Sequence, residues 1–104
     1  ANRLREKHER DKKAIADEMA LKKERMAQNL KARLAAKKQR KLRATAAAEE
    51  KQAVEAEIED EMRNEMEKID SEVSHEASEK LQQQQEREKE ELAQVEEARV
   101  AAIE

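Results

Sequence analysis

Not one glycine or proline occurs in the 104 residues of this chain. Average usage would supply about a dozen. Glycine opens the left-handed backbone and proline pre-sets turns, so no glycine-dependent tight turn, bulge or helix C-cap is written anywhere in the sequence. The residues that remain are the strong helix formers Ala, Glu, Lys, Arg, Gln and Leu, which favours helix over disorder despite a charged fraction of 47%. A globular core is out of reach. There is no aromatic residue, and the 19 Leu, Ile, Val and Met with 19 Ala suffice for one stripe along a helix. The fold class expected is therefore all-α, with burial supplied by a second helix.

The stripe runs through Leu4, Ile15, Met19, Met26, Leu30, Leu34 and Leu42, then Val54, Ile58, Met62, Met66, Ile69, Val73, Ala77, Leu81, Leu92, Val95 and Ile103. Steps of three and four keep these residues on one helix face. Several recur at eleven: Leu4, Ile15 and Met26; Met19 and Leu30; Ile58 and Ile69; Met62 and Val73; Leu81, Leu92 and Ile103. Eleven residues in three turns is 3.67 per turn, close to a straight helix, where heptads would demand 3.5. The leading expectation is one long, nearly continuous helix in a coiled coil with hendecad-like periodicity. Its helix-packing seam would be Met26, Leu30, Leu34, Ile58, Met62, Met66, Ile69 and Val73. The four methionines on the stripe suit an irregular seam.

Two stretches interrupt the stripe. Between Leu42 and Val54 only Ala and Thr45 stand among polar residues. Alanine's helix propensity argues for unbroken helix there; the alternative is a helical hairpin turning near residues 44–50. From Gln82 to Glu91 the seam turns polar, and looser pairing is expected.

Charge divides the chain into a basic helical arm, 1–45, with 16 Lys or Arg against 6 acids, and an acidic helical arm, 46–104, with 7 against 20. The arms carry +10 and −13, giving the net −3 of the whole. Parallel, in-register association would set like arms together. Antiparallel pairing about a centre near Lys51 sets basic against acidic, and flanking charges select helix orientation in this way. The expected partners are thus other helices: a second copy, antiparallel or staggered, or a larger protein assembly. Arg3 and Arg5 in the first turn and Glu104 in the last have the wrong signs for the helix dipole. A segment of a longer coiled-coil protein is expected on that ground.

The chain resembles rod segments of large coiled-coil proteins in general, which implies a structural spacer or scaffold element in a larger, cytoskeletal assembly. The run 31–43 supports a second function, polyanion binding through Lys31, Arg33, Lys37, Lys38, Arg40, Lys41 and Arg43, with the acidic surface of a microtubule or a nucleic acid as ligand. Nucleic acid is the poorer ligand. No aromatic ring is present to stack on bases. Asn29, Ala32, Ala36 and Lys37 echo the spacing of basic-zipper readers, but Arg33 stands where those have alanine and no leucine heptads follow.

No catalytic residues, cofactor or metal are expected. Acid–base chemistry by paired carboxylates needs a desolvated pocket, which a rod lacks. His8 with Asp11, or His75 with Glu72 and Glu79, offers two ligands at helical spacing without a third strong one placed by sequence. The cluster Asp70, Ser71, Ser74 and Ser78 holds poorer helix formers that phosphate could modify. Absence of cysteine removes disulfide and thiol chemistry. No run approaches the roughly 20 apolar residues of a membrane span, so an intracellular setting, cytoplasmic or cytoskeletal and without a membrane partner, is expected.

Overall fold

The computed structural model describes residues 2–103, and they form an all-α structure of two helices, α1 (Asn2–Arg43) and α2 (Ala48–Ile103). Helix breaks at 44–47, so of the two arrangements the sequence left open, the hairpin near 44–50 is the one adopted. The chain divides into two compact units: Ala20–Ser74, and a second made of residues 2–19 and 75–103.

In the unit Ala20–Ser74 the end of α1 and the start of α2 lie antiparallel about the turn. The last turn of α1 is closed by short-range bonds. The Ala44 amide donates to the Arg40 carbonyl at 3.3 Å, and the Thr45 amide to the Leu42 carbonyl at 3.2 Å. That second bond spans only three residues and tightens the helix end. The Thr45 hydroxyl donates to the Lys41 carbonyl at 2.7 Å, occupying another oxygen that a finished helix leaves unpaired. Helix resumes with the Lys51 amide donating to the Ala47 carbonyl at 3.1 Å. No described residue has a positive φ, so the reversal is made without left-handed backbone.

Charge placement supports the break. Arg40, Lys41 and Arg43 occupy the last turn of α1, and Glu49 and Glu50 the first turn of α2. Each set has the sign its helix end prefers. Alanine's advantage over other residues in mid-helix is only tenths of a kcal/mol per position. Folding back buries Leu30, Leu34, Ile58, Ile69 and Val73, each worth about 1.5–3 kcal/mol. The packing term outweighs the propensity term, and expectation of helix through 44–47 fails for that reason.

In the other unit, residues 2–19 of α1 and 75–103 of α2 are again antiparallel, with Met19 buried alongside two polar residues, His8 and Gln84.

Candidate helix-packing interface

The expected seam residues all fall in the unit Ala20–Ser74. Leu30, Leu34, Ile58, Ile69 and Val73 are buried, Leu34 most completely at 1% exposed. Met26, Met62 and Met66 are half-buried beside them.

A ladder of opposite charges flanks this seam. Lys41 donates to the Glu57 carboxylate, Lys37 to Glu61 at 2.6 Å, and the Arg33 guanidinium lies 3.8 Å from Glu65. Steps of four backward along α1 match steps of four forward along α2, the signature of antiparallel helices in register. Farther from the turn, Lys23 Nζ lies 2.7 Å from Asp70. The hydrogen bond from Lys41 holds the Glu57 carboxyl below its ordinary value.

Three members of the basic run, Arg33, Lys37 and Lys41, thus face α2. The other four, Lys31, Lys38, Arg40 and Arg43, make no ion pair among the described residues, and all but the half-buried Lys38 are exposed. The run is one sequence motif with two structural roles.

In the second unit the ladder continues its logic on a polar seam. Lys7 Nζ donates to Glu91 Oε1 at 2.9 Å, while His8 Nε2 lies 3.0 Å from Glu91 Oε2. Both contacts hold the Glu91 carboxyl below its ordinary value, and the bond to Glu91 raises Lys7 in turn. Lys12 lies 3.9 Å from Glu88. Gln84, only 4% exposed, donates from Nε2 to Asp11 at 3.3 Å and to Glu88 at 3.4 Å. No buried side-chain nitrogen or oxygen among the described residues lacks a hydrogen-bond partner. A satisfied polar seam of this kind packs without the penalty of an orphaned group. The expectation of loose pairing from Gln82 to Glu91 is therefore corrected: α2 is helical throughout that stretch and hydrogen-bonded across it.

A cavity of about 370 Å³ opens beside this seam, bordered by His8, Asp11, Gln84 and Glu91 among others. Glu91 is already shared between an ammonium and an imidazole, so its chemistry there is that of a counter-ion. Among the described residues no three His, Cys, Asp or Glu side chains converge as a metal site. His75 reaches Glu79 at 3.0 Å on an exposed face.

The sequence reading made the seam polar from Gln82 to Glu91 but did not single out His8 or Gln84 as the buried positions. A signal was present: His8 stands eleven before Met19, and Gln84 eleven after Val73. Judging by apolar type alone assigned Leu81, Leu92, Val95 and Ile103 to the stripe instead. They are 38%, 54%, 55% and 79% exposed. Steps of three and four from Val73 lead to Lys80, Gln84, Glu88 and Glu91, and Leu81 and Leu92 each lie one residue, about 100°, off that line.

No family model, curated protein or solved structure matches this chain. Among the described residues no helix is long and apolar enough to cross a membrane.

Proposed function

We propose that the chain is a structural helix-packing element, a spacer or scaffold piece that acts by charge-guided antiparallel pairing of a basic with an acidic helix. The observation that carries this reading is the ladder in which Arg33, Lys37 and Lys41 meet Glu65, Glu61 and Glu57. A cytoskeletal or other large assembly is its natural setting, because a paired rod segment supplies distance and attachment rather than turnover.

A double-mutant cycle on Lys37 and Glu61 tests it. Each single reversal, Lys37→Glu or Glu61→Lys, lowers stability to denaturant, and the doubly reversed chain recovers it. The coupling expected for a half-exposed pair is about 0.2–1 kcal/mol and shrinks with added salt. Additive single effects, with no recovery, would remove charge guidance from the mechanism.

A second reading, polyanion binding, is supported by the four bases of the run 31–43 that no acid among the described residues engages. Neutralising Lys31, Lys38, Arg40 and Arg43 to Gln tests it against heparin and against microtubules. Salt-dependent binding that the four changes abolish favours this reading; binding unaffected by them refutes it.

A further inference from the structure

In residues 75–103 the usual amphipathic order is inverted. The face of α2 turned toward α1 presents Gln84, Glu88 and Glu91, while the outward flank beside it carries Leu81, Leu92 and Ile103, with Val100 farther round, all at least 38% exposed. Leu81, Leu92 and Ile103 are spaced by eleven. Eleven residues make three turns and a small remainder, so the three side chains form one line along the helix. Val100 widens it to an apolar face that no described residue of this unit covers.

We infer that this outer face is a self-association surface on which a second copy of the chain docks antiparallel, about a two-fold axis at Leu92. The spacing is self-complementary. With Leu92 against its twin, Leu81 of each copy meets Ile103 of the other, as an isologous contact requires. The flanking charges fit the same arrangement. Lys89 and Glu96 lie on one flank, three residues before and four after Leu92, so the antiparallel pair places each lysine opposite the other copy's glutamate twice over. Glu96 at present lies 4.0 Å from Arg99 of its own helix and is largely exposed, a contact easily exchanged for the lysine. A parallel pair would match the apolar line equally well, but it would continue along all of α2 and set this acid-rich helix against its own acids.

The patch is small beside the roughly 1,200–2,000 Å² of a stable interface, so the dimer is a weak one that forms with rising concentration. The inference rests on reading the chain as a helix-packing element, yet Leu92 lies off the internal seam, so the two are separable by experiment.

Sedimentation of the whole chain over a wide concentration range is the first test, with Leu92→Glu as the comparison. The expected result is a monomer–dimer equilibrium that Leu92→Glu weakens at least tenfold, with helical content unchanged. Orientation follows from cysteine trapping under mild oxidation. Leu92→Cys forms a disulfide with its twin, and a mixture of Leu81→Cys and Ile103→Cys cross-links in preference to either alone. A chain monomeric at every concentration would leave the face to a different partner and overturn the inference. So would Leu81→Cys self-linking as readily as Leu92→Cys, which requires parallel docking. Neither result would disturb the coupling between Lys37 and Glu61.

Discussion

Lys80 Nζ lies 2.8 Å from the Glu18 carboxylate, and in this pair the base is on α2 and the acid on α1. The neighbouring pairs of the same unit, Lys7 with Glu91 and Lys12 with Glu88, have the opposite polarity. A ladder of uniform polarity can slide by one turn and stay attractive. A reversed rung cannot: sliding α2 by four residues sets Glu18 against Glu76 or against the neutral Gln84. Glu18→Lys should therefore lower the melting temperature slightly, and Lys80→Glu in the same chain should restore it. Thermal denaturation of the two single variants and the double checks this, and a double variant no better than the singles would deny the rung its role in register.

Leu34 is the most deeply buried large side chain among the described residues. Leu34→Ala should cost about 2–3 kcal/mol, the lower part of the range for such truncations in cores. Leu21→Ala, at a position 47% exposed, should stay within about 0.5 kcal/mol. Urea titration followed by circular dichroism separates the two.

The titrating pairs predict a plateau of stability with an edge on each side. Glu57 and Glu91 are held below the ordinary 4.5 by hydrogen bonds from Lys41 and from Lys7 with His8. Their contribution is present above that ordinary value and is lost as pH falls through the lowered folded values. Lys7 and Lys80 are raised above the ordinary 10.5 by hydrogen bonds to Glu91 and Glu18. Their contribution is present below 10.5 and is lost as pH rises through the raised values. Melting temperature should be flat between the two edges and decline beyond each, with shallower edges at high salt because these groups are near water. A profile whose edges do not respond to salt would contradict the assignment.

Thr45→Ala removes the hydroxyl bond to the Lys41 carbonyl and completes an unbroken alanine run from Ala44 to Ala48. Continuous helix then competes with the turn, and arms that no longer fold back find the arms of another molecule. The expected outcome is a new dimer, exchanged between chains, visible by light scattering after chromatography. It should survive Leu92→Glu. If Thr45→Ala leaves the oligomeric state unchanged, the threonine does not decide the reversal.

Helix was legible because helix formers fill every stretch, and the seam of Ala20–Ser74 was legible because its occupants are apolar at regular steps. The opposed charge of the arms was read as antiparallel pairing with a second copy, whereas in Ala20–Ser74 it sets two helices of one chain against each other. The break was legible only as the alternative hairpin turning near 44–50, although its signs were present: Arg40, Lys41 and Arg43 followed by Glu49 and Glu50 are the charges of a helix end and a helix start. They were masked by an alanine run whose propensity is a weak local preference that tertiary packing overrides. Which residues of the polar seam bond across it was hidden for a different reason. A hydrogen-bonded glutamine and an exposed one have the same composition, and only the partner, Asp11 seventy-three residues away, distinguishes Gln84 from Gln83.

The turn at 44–47 has a consequence for how freely its residues can change. Since no residue there takes left-handed backbone, no position demands glycine, and most side chains can stand at 44, 46 and 47. Apart from the Thr45 hydroxyl bond, its geometry is imposed by the arms on either side. Substitutions at those three positions, and short insertions after Thr45, should accumulate without disturbing the pairing beyond the turn, which makes it the place where a peptide tag or a reporter domain could be spliced into the chain.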